Sequence, residues 1–589
     1  MTTKPTHYSH PAPAPGQGQG QGQGQGRHVS FIIPVYSYTH GTQWGFNRLI
    51  PTHPGISQMD DPTLTLANTL AYLDGDTGIP RSLLMRAGRS QRRWNLDGEP
   101  EDVSPEETKI ASDLVGVLSD ADHLQNAIDQ LCFRGALVRT TYPGHGDCDI
   151  YRMDAATRAM YKQSSLVDPQ HGMLQALLLV CHAFPVDIHL DSDFRELGSA
   201  YVPQLQHVVS QHYDALQALG ALTNDMRKTL AYVLVHSSCL SSTAWRLEAI
   251  ERAGKIASNL VTPDRCLERM ILLQTIIQNC SNMSFEDYSE CAGFSHASNK
   301  LNALSGQVFL ARCNQHLRNE KGIAAAFELL LQIRPINLNH ISTMEELVLQ
   351  HKALAWGRLL RFQGHFEDAC ELLEAVYDAR AYPEGVVSIG DSNCELLSQI
   401  AETYCELEKP VRAEILVSAK LESMREKRSN ETNLGQCKTD ILKLAFAQAE
   451  AALQQREYWR AFDLYRDMNR YIWSTRGLQN WVRAVCRMHI GLARVHHLQG
   501  EWALALKYWE RALRMFEKHP GSQDFGAAVT YASIAYVKLR LNDIDSARSF
   551  ATKAQDLFKI TGRQHWYTGL GSRWYDEMLA GLKDVLQSV

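Results

Sequence analysis

One stretch of the chain, LEAIERAGKIAS at residues 247–258, comes close to a phosphate-binding loop. Such a loop needs the pattern G-x-x-x-x-G-K-[ST], because its backbone amides and its lysine together hold the phosphates. In this chain Ala249 stands at the first glycine position and Ile256 at the Ser/Thr position. The periodicity of the stretch predicts a helix with no strand before it. We therefore predict that the protein binds no nucleotide.

A second candidate for chemistry is GHGDCD, in which His145, Asp147, Cys148 and Asp149 could each bind a metal ion. A run of Gly, His and Asp is more typical of a hairpin turn, and no second group of ligands has a matching spacing. The sequence contains no G-x-S-x-G, no H-E-x-x-H and no strand-associated G-x-G-x-x-G. These patterns predict a protein that is not an enzyme and that needs no metal or cofactor.

The composition narrows the class of protein further. With 589 residues the chain is too long for one ordinary domain, and its net charge of −6 lacks the basic excess of a dedicated nucleic-acid binder. The 13 cysteines never occur as CxxC, which favours reduced thiols inside the cell; we expect the cytoplasm, with the nucleus left open. The longest apolar run, residues 173–184, is too short to cross a bilayer, so no membrane association is expected.

The strongest pattern in the chain is an internal repeat. In LARVHHLQGEWALALKYWERALRMF, residues 492–516, a small residue, a turn glycine, an alanine, an aromatic residue and a second alanine follow one another. This order is similar to the tetratricopeptide repeat (TPR), in which small side chains let two antiparallel helices approach closely. The same frame predicts six units, whose anchors are Ala325, Ala369, Ala413, Ala461, Ala505 and Ala547. The anchors are 42 to 48 residues apart, so the helices or loops are longer than in the common 34-residue repeat.

This repeat predicts a mainly α protein built on a right-handed α-superhelix of TPR-like hairpins. The first helices of such an array line a concave face, and concave faces of this kind bind proteins or peptides. Nine side chains are predicted to point inward from the first helices: Arg358, Arg361, Glu402, Lys443, Glu450, Arg487, Arg494, His497 and Tyr536. The arginines could hold a carboxylate-bearing partner by bidentate hydrogen bonds. Two other readings stay open, in which they are solvated or paired with Glu402 and Glu450.

The chain before the repeats divides by composition and periodicity. The Pro/Gly/Gln-rich start predicts a disordered tail, and a hairpin between two helices predicts a winged-helix-like domain. The charged stretch RAGRSQRRWNLDGEPEDVSPEE is expected to be a solvated loop. The predicted divisions are a tail (1–27), an arm of unassigned role (28–61), the winged-helix-like domain (62–165), a helical linker with atypical repeats (166–300) and the repeat array (301–589).

Three segments, taken in order, resemble the C-terminal portion of fungal NB-ARC–tetratricopeptide proteins, which are STAND-type regulatory proteins. The segments are LANTLAYLDGDTGIPRSLL, the hairpin leading into YRMDAATRAM, and HAFPVDIHLDSDFRELGSAYVPQLQHVVSQH. The chain departs from the family at Asp154, where a His is usual, and at Gln204, which replaces the His of a Pro-His pair. The resemblance covers roughly residues 62–575 and implies a regulatory or sensor module that lacks the family's nucleotide-binding domain.

A DNA-binding transcriptional regulator is the alternative function that a winged helix suggests. In a DNA-reading winged helix, the helix before the hairpin needs Arg, Lys, Asn or Gln on its outer face. Here that helix is SDADHLQNAIDQL, which carries Asp120, Asp122 and Asp129 and contains no Lys or Arg. The sequence thus disfavours nucleic acid and favours a non-catalytic interaction scaffold with a protein or peptide partner.

Overall fold

The structure is a computed structural model. It describes residues 61–141, 149–163, 168–191, 193–240, 243–278, 298–318, 322–378, 394–430, 437–474, 482–517, 525–565, 569–570 and 572–583. The predicted tail and arm lie outside the described residues, as does the hairpin tip with His145, Asp147 and Cys148.

The N-terminal part of the described chain combines helices with five short strands. Its helices are α1 (Asp61–Ala71), α2 (Arg81–Ala87), α3 (Ser112–Leu118), α4 (Ala121–Phe133), α5 (Ala155–Gln163), α6 (Pro169–Ala183) and α7 (Phe194–Ala218). Its strands are β1 (Ile79–Pro80), β2 (Gln91–Trp94), β3 (Pro100–Val103), β4 (Val138–Thr141) and β5 (Asp149–Arg152). Strands β1, β5 and β4 form one antiparallel sheet in that order, and β2 pairs with β3.

From residue 224 onward the described chain is helical. The helices are α8 (Asn224–Ser237), α9 (Thr243–Ser258), α10 (Arg265–Gln278), α11 (Asn299–Arg318), α12 (Ile323–Gln332), α13 (Thr343–Gln363), α14 (Phe366–Tyr377), α15 (Cys394–Glu406), α16 (Pro410–Asn430), α17 (Cys437–Gln454), α18 (Tyr458–Ser474), α19 (Val482–Leu498), α20 (Trp502–Glu517), α21 (Phe525–Arg540), α22 (Ile544–Thr561) and α23 (Ser572–Gly581). Helices α11 to α22 pack as six consecutive hairpins, which form a TPR-type α-superhelix. No helix of the described chain is long and apolar enough to span a membrane.

The six hairpins share one packing rule, because the fourth residue of each second helix is a fully buried alanine. These residues are Ala326, Ala369, Ala413, Ala461, Ala505 and Ala547. The frame predicted from sequence is therefore right for five hairpins and wrong by one residue for the first, where Ala326 is buried and Ala325 is half-buried. A methyl side chain at this position lets the second helix approach the first closely.

The turn inside each of the last five hairpins contains one residue with positive φ, two positions before the second helix. Gly364 and Gly500 occupy this position in two turns, and Glu408, Arg456 and Asn542 occupy it in the others. A left-handed residue ends the first helix and lets the chain reverse direction. Glycine adopts this conformation without the steric cost that a side chain brings.

Both residues at which the chain departs from its resemblance make defined hydrogen bonds, local ones at Asp154 and long-range ones at Gln204. The Asp154 carboxylate accepts hydrogen bonds from the backbone N–H groups of Ala156 and Thr157, at 2.9 and 3.0 Å, and so caps α5. Gln204 is fully buried in α7, where its amide accepts from Asp74 N and donates to the carbonyl oxygens of Asp74 and Gly78. It therefore fixes the turn after α1 against α7.

The charged stretch predicted as a solvated loop is instead the β2–β3 hairpin. Arg92 pairs with Asp102 across the two strands, and Arg93 is half-buried. The tip of the hairpin docks on the repeats, because the Glu99 carboxylate accepts from the Thr343 N–H at 3.0 Å and Gly98 O accepts from the Met344 N–H at 2.9 Å. The prediction was wrong because contacts to α13, far along the chain, decide this conformation.

The hydrophobic core is continuous from α1 to α13. It joins Leu66 of α1 and Tyr151 of β5 to Leu267 of α10 and Leu359 of α13. Later hairpins have smaller cores of their own, such as the one around Trp509. The N-terminal part and the first repeats are thus packed as one unit.

The role of the left-handed turn can be tested at Gly500. We expect Gly500→Ala to lower the free energy of unfolding by about 1 kcal/mol, because a Cβ is strained at its φ of +75° although the space around it is open. Gly254→Ala is the control, since Gly254 lies inside α9 with nothing within 4 Å of the added Cβ. That control should raise stability by about 0.5–1 kcal/mol. Equal effects in urea denaturation would contradict the assignment.

Candidate protein-interaction groove

All nine side chains predicted to point inward lie on first helices of the hairpins. They are Arg358 and Arg361 on α13, Glu402 on α15, Lys443 and Glu450 on α17, Arg487, Arg494 and His497 on α19, and Tyr536 on α21. We call the surface formed by these helices the groove. Binding of a partner by these residues stays a prediction.

Glu402 lies between two arginines in the groove. Its carboxylate is 2.7 Å from Arg361 Nη2 and 2.5 Å from Arg487 Nη1, and its side chain is 10% exposed. Burial alone would raise the pKa of Glu402, but Arg487 and Arg361 outweigh burial and lower it to about 2. The Arg487 guanidinium also stacks 4.7 Å from the centroid of the Phe446 ring. One carboxylate thus joins three first helices of the array, α13, α15 and α19.

A second buried pair joins α17 to α19. Arg494 Nη1 donates to Glu450 Oε2 at 2.6 Å, and the two side chains are 6% and 2% exposed. Gln454 Nε2 donates to the other carboxylate oxygen of Glu450 at 3.0 Å. The pairing of arginines with Glu402 and Glu450, left open by the sequence, is therefore the arrangement in the structure.

A third network is less buried. Glu395 of α15 pairs with Arg358 of α13 and with Lys443 of α17, whose Nζ lies 2.9 Å from the carboxylate. Lys443 also lies 3.8 Å from Asp440. Burial, followed by the neighbouring Arg361, lowers the pKa of Arg358 to about 10.

The chain after α22 returns to the groove and lies against these first helices. We call residues 562–575 the C-terminal segment; within it, 562–565, 569–570 and 572–575 are described. The His565 N–H donates to Phe362 O of α13 at 2.9 Å, and the Gly569 N–H donates to Glu406 Oε1 of α15 at 2.9 Å. Both contacts use backbone donors, so the groove already binds a peptide segment of its own chain.

An aromatic cluster anchors the end of the C-terminal segment. The Trp574 indole N–H donates to Ser533 Oγ at 3.0 Å, and its ring lies 5.1 Å from the Arg494 guanidinium. The His497 ring meets Trp574 edge-on and stacks on Tyr536, with 5.2 Å between centroids in each case. Burial, then Arg494, lowers the pKa of His497 to about 4, so the ring is neutral at physiological pH. Arg494, His497 and Tyr536 thus face this segment or its neighbours.

Glu406 is the most unusual titratable group of the groove. Burial raises its pKa to about 7, and Glu450 acts in the same direction. The hydrogen bond from Gly569 and the charges of Arg361 and Arg494 lower it only in part. Its ionisation is therefore linked to folding, and the hydrogen bond from Gly569 favours the ionised form.

The sequence analysis missed Glu395, Glu406 and Trp574. A signal for Glu395 was present, since Glu395 and Lys443 are 48 positions apart, which is close to one repeat. Opposite charges one repeat apart on first helices meet in a stacked array. Trp574 had no such signal, because it lies beyond the last repeat. Within the described ranges no cluster of His, Cys, Asp and Glu could hold a metal ion.

Comparison with protein families agrees with this class of fold. The family model of the tetratricopeptide repeat matches residues 484–560, which span α19 to α22. A search of curated proteins found no match. Among solved structures, a monomeric mutant of IFIT1 with the capped oligonucleotide m7Gppp-AAAA is similar, with 11% identity, 85% of this chain and 96% of that chain covered, and a TM-score of 0.25. At that score nothing about ligands is inferred from it.

The fold and the matched repeat define the class: this is a protein with a TPR-type α-superhelix, and TPR repeats generally bind protein partners. In this protein, buried ion pairs join the first helices, and the C-terminal segment occupies part of the groove.

The importance of the buried network can be measured with Glu402→Gln. The substitution leaves Arg361 and Arg487 buried without their counter-charge, so we expect the free energy of unfolding to fall by about 3–5 kcal/mol. The loss of stability in the variant should shrink as pH falls from 4.5 towards 2. Because the pKa of Glu402 is lowered in the folded protein, its contribution to stability is present above pH 4.5 and is lost as the carboxylate is protonated between pH 4.5 and 2. Glu251→Gln, at the exposed pair with Lys255, is the control and should change nothing measurable in urea denaturation.

The contribution of Glu406 to stability should weaken with rising pH. The folded protein holds the Glu406 proton more tightly than the unfolded chain, so this contribution is full below pH 4.5 and lost as pH rises through 7. Urea denaturation should therefore give a lower free energy of unfolding at pH 8 than at pH 6. Glu406→Gln should remove the difference; an unchanged pH dependence in that variant would assign it to another group.

Proposed function

We propose that the protein is a non-catalytic interaction scaffold that binds an extended peptide segment of a protein partner in the groove. The observation that carries the proposal is the C-terminal segment, which lies there through backbone donors from His565 and Gly569. Binding through main-chain groups does not depend on the side chains of the bound segment. An external peptide could use the same acceptors, Phe362 O and the Glu406 carboxylate.

The buried arginines act in this proposal by shaping the groove. Arg361 and Arg487 are already paired with Glu402, so they cannot also neutralise a partner without breaking that pair. Arg494 is paired with Glu450 in the same way, but its guanidinium also faces the Trp574 ring and the backbone of Gly569. A partner segment with an aromatic residue could therefore replace Trp574 over the Arg494 guanidinium.

We also propose that residues 62–165 form a winged-helix-like domain. In this proposal the whole chain is an NB-ARC–tetratricopeptide regulatory protein of the cytoplasm. The strands of the sheet lie in the order β1–β5–β4, and α3 and α4 come between β1 and β4 along the chain. This arrangement supports a winged-helix-like domain. The exposed face of α4 carries Asp122 and Asp129, which gives the DNA-binding alternative no support. We propose a structural role for this domain.

A release variant tests peptide binding. A Cβ on Gly569 would collide with the Arg494 guanidinium, and its φ of +77° is strained for any side chain, so Gly569→Ala should undock the C-terminal segment and leave the repeats intact. A fluorescein-labelled peptide of residues 562–575 should then bind the full-length variant about 5- to 30-fold more tightly than the unmodified chain, measured by anisotropy, since that factor corresponds to about 1–2 kcal/mol of strain.

The controls for this experiment use the same kinds of change elsewhere. Gly254→Ala in α9 should bind the peptide no better than the unmodified chain. A peptide carrying Trp574→Ala should bind the release variant more weakly than the parent peptide. If hydrogen exchange shows the segment released and the labelled peptide still fails to bind, peptide binding in the groove is wrong.

A further inference from the structure

A cavity of about 450 Å³ lies away from the groove, where the β2–β3 hairpin meets α8, α10 and α11. Its volume falls in the range of about 300–1,000 Å³ that is typical of small-molecule sites. Most of its wall is apolar and includes Val186, Ile188, Phe194, Met270, Leu273 and Leu304. An apolar cavity of this size has room for a ligand with a hydrocarbon or aromatic body.

Three cations line this cavity, of which Lys228 of α8 is paired with Asp264 and the other two are Arg93 and Lys300. Arg93 of β2 donates through Nη2 to His182 O at 2.8 Å, and Lys300 of α11 donates through Nζ to Trp94 O at 2.6 Å. Lys300 also lies 5.4 Å from the centroid of the Tyr232 ring. In the part of the chain that the structure describes, neither cation has a carboxylate within ion-pair distance. Both positive charges are thus held by neutral groups.

The carboxylates nearest to these cations are engaged elsewhere. Burial lowers the pKa of Lys300, and the charge of Asp264 acts against this from beyond ion-pair distance. Asp264 itself lies 2.6 Å from Lys228 Nζ and accepts a hydrogen bond from the Tyr232 hydroxyl at 3.1 Å. Asp191, which acts on Arg93 at longer range, pairs with Arg86 at 3.0 Å. Glu101 and Asp187 also line the cavity; Glu101 is exposed, and the Asp187 carboxylate accepts from the Trp94 indole N–H at 2.9 Å and from the His189 N–H at 2.8 Å. A cation in an apolar setting is costly without a bound counter-charge, so the cavity is complementary to an anion.

His236 of α8 also lines this cavity. Burial lowers the pKa of His236 to about 3, and the charges of Arg93 and Lys300 act in the same direction. The imidazole is therefore neutral at physiological pH and can donate one hydrogen bond. Arg93, Lys300 and His236 thus line one cavity whose wall is mostly apolar.

We propose that this cavity binds an amphipathic organic carboxylate, whose carboxylate is held by Arg93 and Lys300 with His236 as a further donor. Its apolar body lies along Val186, Phe194 and Leu304. The carboxylate supplies the missing counter-charge through charge-assisted hydrogen bonds, and burial of the apolar body adds affinity roughly in proportion to its area. The ligand also bridges the β2–β3 hairpin and α11, so its binding stabilises the junction between the N-terminal part and the repeats.

Titration of the unmodified full-length protein with decanoate and with decan-1-ol tests the proposal by calorimetry. The two compounds share the apolar chain and differ in the charged head group. We expect decanoate to bind at one site and at least about tenfold more tightly than decan-1-ol, which is the usual effect of hydrogen bonds to a charged group. Equal affinities, or no binding of decanoate, would overturn the proposal.

A pair of matched lysine variants locates the site. Lys300→Met removes the charge and keeps the length, so decanoate affinity should fall about tenfold while decan-1-ol affinity stays the same. Lys255→Met on exposed α9 should change neither.

Because Lys300 also supports the hairpin, Leu273→Trp provides an independent variant that fills the cavity without touching a charge. It should weaken both compounds. Unchanged decanoate binding in this variant would place the binding elsewhere and overturn the proposal.

Discussion

The carboxylate of Glu402, held between Arg361 and Arg487, is the interaction on which the array depends most directly. A charge in a buried position is favourable only when its partners and hydrogen bonds replace water, and here each partner comes from a different first helix. The Glu450–Arg494 pair repeats the device between α17 and α19. Because these contacts need a defined geometry, they set the relative placement of successive hairpins more sharply than apolar packing alone.

The same ion pairs explain why the groove interacts with peptide backbone. Arginines that are paired with carboxylates leave few free charges on the inner surface, so the polar groups left for a ligand are acceptors such as Phe362 O and Glu406. The C-terminal segment uses both, and Trp574 adds an aromatic anchor over Arg494. A partner for this groove must therefore compete with a segment of the same chain, which lowers its apparent affinity by the fraction of molecules in which the segment is docked.

The junction between the N-terminal part and the repeats carries a different kind of chemistry. There the hairpin β2–β3 reaches α11 through Lys300 and α13 through Glu99, and the core is continuous from α1 to α13. Arg93 and Lys300 face an apolar cavity without paired carboxylates, unlike the arginines of the groove. The molecule thus contains a groove whose arginines are paired with carboxylates and a cavity in which Arg93 and Lys300 have no carboxylate within ion-pair distance.

Much of the fold could be predicted from the sequence, because each hairpin repeats a local pattern. Helical periodicity sets the alanine at the fourth residue of the second helix and the inward positions of the first helices. The predicted alanine was right in five of the six hairpins, and each of the nine side chains lies on a first helix as predicted. The error at Ala325 arose in the weakest repeat, where neighbouring alanines fit the frame equally well. Pairing of Glu402 and Glu450 with arginines was one of the readings that the sequence left open.

The sequence by itself determined the helices and the repeat frame, since both are local patterns. Only the tertiary structure decided that the charged stretch after α2 is a hairpin, that the C-terminal segment occupies the groove, and that Arg93 and Lys300 share a cavity. The contacts responsible join residues 163 positions apart for Glu406 and Gly569, 206 for Trp94 and Lys300, and 244 for Glu99 and Thr343. No periodicity links such distant positions, so they meet only when the whole array is packed.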